Sequence, residues 1–371
     1  MTLPTNTSQT GPTPAAAQPD ARMAVELLVQ EAVNRRASDI HVEPTAEGYD
    51  LNLRVDGLLE TVRRVASDTG GGMVNRLMVA AKLLTYRRDV PQEGRYRYEA
   101  PGTAKPLDLR VSVMPTNHGL RVAVRLPADL LQPRGLEELG LPAAVTDGLR
   151  DYAAADGGML LLTGPAGSGK TTTIYALLEM IRRTSPSVSV VALEDPVERD
   201  LPGVTQVQVT PFGELTYERA LRSMLRQDPQ VLALGEIRDA PTASVAVQAA
   251  LSGHRLVSTL HAASPGGAVV RLLEMGLERY QIAGALWGVV STRLLRRADG
   301  KGGYAGRLPV ASLARLTPEV RDAVVNGATH TELEDLVARQ AGYADPRRVA
   351  AGLVEQGLTD DAEVRRVLGG D

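Results

Sequence analysis

Residues Gly164-Pro165-Ala166-Gly167-Ser168-Gly169-Lys170-Thr171 fit the pattern G-x-x-x-x-G-K-[ST], and their flanks constrain the chain more than any other segment does. The apolar run Met159–Leu162 precedes them, and Ile174, Leu177, Leu178 and Ile181 follow at the i, i+3, i+4, i+7 spacing of an amphipathic helix. Strand, glycine loop and helix in that order form a phosphate cradle. Successive backbone N–H groups curl around the anion and the helix dipole adds favourable potential. Lys170 is placed to reach the β- and γ-phosphates, and the Thr171 hydroxyl to ligate Mg²⁺. The expected nucleotide-binding set runs from Gly164 through Thr172. The bland alternative is a glycine turn entering a helix with Lys170 merely exposed; motif and context together outweigh it.

Around this loop, continuous apolar runs alternate with amphipathic segments. Candidate strands are Met159–Leu162, Val188–Leu193, Val204–Val209, Val231–Leu234 and Leu256–Thr259. Candidate helices are Thr171–Ile181, Tyr217–Arg226, Thr242–Leu251, Ala268–Glu274 and Gln281–Arg293. That alternation predicts an α/β domain on a largely parallel sheet. The stretch from about 308 to 368 is expected to be helical, with Thr317-Pro318 and Asp345-Pro346 as starts and Thr331 with Glu334 as a capping box.

A P-loop that hydrolyses ATP needs acidic groups near the γ-phosphate. Strand 188–193 ends in Glu194-Asp195-Pro196-Val197-Glu198, and strand 231–234 ends in Gly235-Glu236-Ile237-Arg238-Asp239. Both clusters fall at strand C-termini, the edge where open α/β sheets bind ligands. Carboxylates there also serve simply to cap the next helix. Strand 256–259 ends in Leu260-His261, whose imidazole reads equally as a γ-phosphate sensor or a structural group.

Upstream, residues 21–36 carry one apolar helical stripe. Tyr49, Leu51, Leu53 and Val55 alternate with polar residues as a half-buried strand, and Asp56-Gly57 marks a two-residue hairpin. A helix over about 73–84 and alternating strands over 107–113 and 120–126 complete an α+β domain. The expected order is a disordered tail over 1–20, the α+β domain over 21–127, a linker over 128–135, the P-loop domain over 136–298 and a helical segment over 299–371.

The chain of 371 residues has no cysteine, which excludes a disulfide framework, a thiolate nucleophile and every zinc site built on cysteine. Its net charge of −3 provides no global footprint for nucleic acid. No apolar run approaches the ~20 residues of a membrane span, and no secretory signal is visible. Cytoplasmic residence is expected, with membrane attachment only through a partner.

Taken in order, Gly164–Thr171, Leu193-Glu194-Asp195-Pro196, Leu225-Arg226-Gln227-Asp228-Pro229 leading into Gly235-Glu236-Ile237-Arg238-Asp239, and Ser258-Thr259-Leu260-His261 resemble the type II secretion / type IV pilus assembly ATPases. Ala37-Ser38-Asp39-Ile40-His41, Arg54-Val55-Asp56-Gly57, Pro91-Gln92-Glu93-Gly94-Arg95 and Leu109-Arg110-Val111-Ser112 are similar to that family's second N-terminal domain. The resemblance implies a RecA-like P-loop ATPase domain preceded by a smaller α+β domain and followed by a helical C-terminal segment. It implies a homo-hexameric, Mg²⁺-dependent ATP hydrolase at the inner face of the plasma membrane, driving an inner-membrane platform protein, with no nucleic acid. Gly164–Thr171 would be the Walker A loop and Glu194 part of an acidic box polarising the attacking water. Glu236 would serve Mg²⁺ and water in a Walker B where Gly235 replaces the usual aspartate. His261 would sense the γ-phosphate, and Arg110 and Arg125 would reach the nucleotide.

The chain departs from the family where many members carry a four-cysteine zinc module: Arg296–Gly302 runs straight through, and no zinc is expected. Ala262 and Ala263 follow the histidine, where relatives usually have a hydroxyl residue first. Within the same superfamily the alternative is a pilus retraction motor; outside it, a small-molecule kinase or a scaffold that does not hydrolyse. If strands 107–113 and 120–126 pair with Val113 opposite Leu120, then Arg110 faces Ala123, and Arg121 and Arg125 are its diagonal neighbours. Three guanidiniums so placed require an anion or carboxylates on that face. The bland alternative is a solvated basic face with Asp108 as partner.

Overall fold

The computed structural model describes residues 20–99, 106–127, 135–210 and 213–369, in two units, Met1–Pro127 and Ala128–Asp371. Residues 1–19 of the tail expected over 1–20, and residues 128–134 of the linker expected over 128–135, lie outside the described residues.

The first unit contains α1 (Ala21–Asn34), β1 (Asp39–Thr45), β2 (Gly48–Val55), β3 (Leu58–Val65), α2 (Ser67–Ala80), β4 (Gln92–Tyr98), β5 (Leu107–Thr116) and β6 (Gly119–Arg125). The strands form an antiparallel sheet in the order β3-β2-β1-β6-β5-β4. Period-2 alternation gives it two unlike faces. Ile40, Val42, Leu51, Leu53, Val111, Val113, Val122 and Val124 are buried, as are Val25, Leu28 and Val29 of α1 and Met73, Leu77 and Met78 of α2, which pack on the sheet. The other face is polar. At the β2–β3 turn, Asp56 and Gly57 both have positive φ (48° and 89°), as a type I′ hairpin requires.

The β5–β6 register differs from the expected one. The strands pair as far as Thr116 opposite Gly119, around a turn at Asn117-His118, which sets Val113 opposite Val122. Arg110 therefore stands directly opposite Arg125, and Arg121 opposite Met114. The three arginines still share a face, because a shift of two residues preserves the side.

The second unit begins with a 3-10 turn at Leu136–Leu139, then α3 (Ala143–Ala153), β7 (Gly158–Thr163), α4 (Lys170–Thr184), β8 (Val190–Glu194), β9 (Thr205–Gln208), α5 (Tyr217–Met224), β10 (Val231–Leu234), α6 (Ala240–Leu251), β11 (Arg255–Leu260), α7 (Pro265–Glu274), α8 (Arg279–Ala285), β12 (Leu286–Ala298) and β13 (Tyr304–Arg315). The helices α9 (Pro318–Val325), α10 (His330–Ala338), α11 (Pro346–Glu355) and α12 (Asp361–Leu368) follow. The sheet runs β13-β12-β7-β11-β10-β8-β9, parallel except for the β12–β13 hairpin. Both faces are covered: Met159 and Leu161 pack with α5 through α10, while Leu160 and Leu162 pack with α3 and α4. That two-sided burial explains the continuous apolar strands.

Three expectations are corrected. The helix expected over Gln281–Arg293 is the short α8 followed by strand β12, and the segment from 304 to 315 is strand β13, so the C-terminal helices start at Pro318. Leu286, Val289, Val290 and Leu295 are buried, and a buried strand has no alternation to distinguish it from a helix. Pro309 is tolerated because β13 is the edge strand. The capping box is Thr329 with Glu332, whereas Glu334 reaches across to accept from the Gly266 amide at 2.6 Å. Beyond it, the fully buried Glu363 of α12 accepts from the Arg296 backbone N–H (2.8 Å) and guanidinium (2.8 and 3.0 Å) and from Arg366 Nε (2.7 Å), fastening α12 to β12.

Candidate functional site

β7 delivers the chain into the glycine loop. Gly164 lies so close to β12 that a Cβ there would sit 2.4 Å from the Thr292 carbonyl, and Gly169, at φ 95°, forms the N-cap of α4. Ser168 hydrogen-bonds the Thr292 hydroxyl at 3.1 Å, and Thr163 the Ser291 hydroxyl at 2.8 Å. Lys170 is buried, and its Nζ donates to the Gly164 and Pro165 carbonyls, each at 2.8 Å. Burial lowers its pKa, against the opposing pull of Glu236. Thr171 is exposed on the first turn of α4, with Thr172 half-buried beside it, while Pro165, Ala166 and Gly167 line the open side of the loop.

Two neighbouring strands bring the acidic and imidazole groups together. Glu236 follows β10, His261 follows β11, and their Oε2 and Nε2 atoms are 3.4 Å apart. Arg238 donates to the other Glu236 oxygen. That hydrogen bond and the charges of Arg238 and His261 outweigh burial and hold Glu236 below the usual carboxylate range. Gly235 is closely approached by α5: a Cβ there would meet the Tyr217 hydroxyl at 2.5 Å. Burial and the Asp195 and Glu236 carboxylates push the Tyr217 phenol up. Asp239 plays the bland part, accepting from the Thr242 amide at 2.8 Å as the α6 cap.

Glu194 is buried at the end of β8. Tyr175 of α4 donates to one of its oxygens and Gln206 of β9 to the other at 2.8 Å. Burial raises its pKa in spite of these bonds.

On the polar face of the N-terminal sheet, Arg125 donates to Asp39 at 3.1 Å and Arg121 to Glu43 at 2.8 Å. The compensating carboxylates thus come from β1, and Asp108 stands opposite Arg97 instead.

Ser291, Thr292 and Arg293 of β12, together with Tyr175, Gln206 and Tyr217, are site residues that motif reading passed over. The available signal was three consecutive polar residues, 291–293, within an apolar strand.

A family model described as "Type II/IV secretion system protein" matches residues 16–366. The type II secretion system protein HxcR of Pseudomonas aeruginosa is 37% identical over 368 residues, covering 94% of this chain and 77% of that protein. The type IV pilus assembly ATPase PilB of Thermus thermophilus is 34% identical over 382 residues, 93% of this chain but 42% of that protein. Among solved structures, the pilus retraction motor PilT with bound ADP superposes with a TM-score of 0.66 at 26% identity, covering 92% of this chain and 96% of that one.

Proposed function

The chain belongs to the type II/IV secretion system protein family, and from that premise we propose that it is a Mg²⁺-dependent ATPase motor powering type II secretion or type IV pilus assembly. It would work as a homo-hexamer on the cytoplasmic face of the inner membrane, pushing on a platform protein there. The observation that carries the catalytic reading is the meeting of Glu236 and His261 at 3.4 Å beside the Lys170 loop.

Backbone N–H groups of the Gly164–Thr172 segment, Pro165 excepted, hold the phosphates, and Lys170 leaves its two carbonyl partners to neutralise the β- and γ-oxygens. Glu236, kept ionised, takes the proton of the attacking water as the water oxygen bonds to the γ-phosphorus. The bond to the β–γ bridging oxygen breaks, leaving ADP and phosphate. His261, at the end of β11 between the loop strand β7 and Glu236 on β10, monitors the γ-phosphate. Glu194, held by Tyr175 and Gln206, fixes the acidic segment at the end of β8. The exposed Thr171 hydroxyl and the ionised Glu236 carboxylate are the hard oxygen donors that suit Mg²⁺; when bound, the ion supplies charge neutralisation on the phosphates. Arg110 and Arg125 are assigned arginine-finger roles.

Phosphate release and light-scattering mass, measured with ATP and Mg²⁺, test this reading. Turnover without an added acceptor, in a species of six chains, supports it; phosphoryl transfer from a monomer to a small molecule would replace it with a kinase.

A further inference from the structure

Arg293 sits half-buried in the middle of β12, and among the described residues no carboxylate lies within ion-pair distance of it. A cation placed so needs a reason, since burial without a counter-charge is costly. Its hydrogen bonds supply one. Nη1 donates to the Thr292 carbonyl at 2.9 Å and Nη2 to the Ala263 carbonyl at 3.3 Å. The same guanidinium lies 3.1 Å from where a Cβ of Gly164 would be. One rigid planar group therefore touches the first residue of the phosphate loop, the strand behind it, and the segment two residues past His261.

Ala262 of that segment packs against the core, but past His261 its side chains make no hydrogen bond until Ser264. Ala262 and Ala263 have no polar side chain, and the Ala262 amide donates back to Leu260 at 3.0 Å before Ser264 caps α7. We propose that Arg293 is a positioning residue that sets His261 against the phosphate loop, so that the sensor and the Walker A loop move as one piece. This rests on the reading of His261 as the γ-phosphate sensor. Arginine suits the task because its fork spans two acceptors at fixed angles; a lysine ammonium, as a point donor, does not.

The test compares steady-state turnover, fluorescent ADP and ATP-analogue affinity, and thermal melting in the full chain for wild type, Arg293→Gln, Arg293→Lys, His261→Ala and the Arg293→Gln/His261→Ala double variant. The expected result is a kcat lower by about tenfold or more in Arg293→Gln, with nucleotide affinity within about threefold and melting little changed. Arg293→Lys should fall between that variant and wild type. The double variant should be no slower than His261→Ala, the non-additivity of residues acting through one another. Multiplicative losses in the double variant, a matching loss of ADP affinity, or wild-type turnover in Arg293→Gln would each overturn the inference. Wild-type turnover in His261→Ala would remove the sensor reading itself, and this inference with it.

Discussion

The Tyr217 hydroxyl stands 2.5 Å from the point where a side chain at Gly235 would begin. The phenol of α5 thus fills the space beside residue 235, and Glu236 is the carboxylate at the end of β10.

Gly235→Ala should consequently destabilise the protein by about 1–3 kcal/mol through overpacking. Tyr217→Phe, which removes the oxygen that the new methyl would meet, should recover most of that loss in the double variant. Thermal unfolding of the four proteins checks this, and additive losses would contradict the geometry.

Lys170→Ala and Glu236→Gln should each abolish ATP turnover. Glu236→Gln leaves the loop and Lys170 intact, so a fluorescent ATP analogue should still bind to it within several-fold of wild type. Residual turnover in either variant, measured by phosphate release, would count against the assigned roles.

Arg110 and Arg125 share one row of the sheet, and Arg125 is held by Asp39. If both act only on transition-state charge, alanine at either should lower kcat steeply, towards the ~10³–10⁵ known for arginine fingers, with ATP affinity kept within about tenfold. An equal loss of affinity and rate would instead indicate ground-state binding.

Acid should loosen the C-terminal helices through Glu363. Burial would raise its pKa, but hydrogen bonds from Arg366 and Arg296 win and bring it down from 4.5 to about 2. A folded pKa below the unfolded one gives stability that is complete above about pH 4.5 and is lost as pH falls towards 2. At about 1.4 kcal/mol per unit the contribution is on the order of 3 kcal/mol. Glu363→Gln should therefore melt lower than wild type at neutral pH, and the gap should close between pH 5 and 2. A pH-independent gap would refute the linkage.

Where chemistry imposes a pattern, the sequence was readable. The phosphate loop has a spacing no ordinary turn needs, and strands 231–234 and 256–259 end in polar residues that the sheet then brings together. The same holds for Asp56-Gly57, whose positive φ values demand those residue types. What escaped was decided by tertiary context. β4 is built from Gln, Arg and Tyr and has scarcely any apolar alternation to signal a strand. β12 is buried against β7 and the helices, so its apolar residues fit helical spacing as well as strand spacing. The β5–β6 register depended on Pro115 joining the ladder opposite Leu120, a residue that ordinarily ends one.

One strand passes both ends of the second unit's chemistry. Thr292 of β12 lies against the phosphate loop, and Arg296, four residues on, is gripped by Glu363 of α12. At about 3.3 Å per residue the two grips are some ~13 Å apart along an extended backbone. β13 pairs with that backbone along one edge, and β7 with the other as far as Ser291. The phosphate loop and α12 are thus fastened to one continuous stretch of strand, so a substitution at either grip acts on the same backbone.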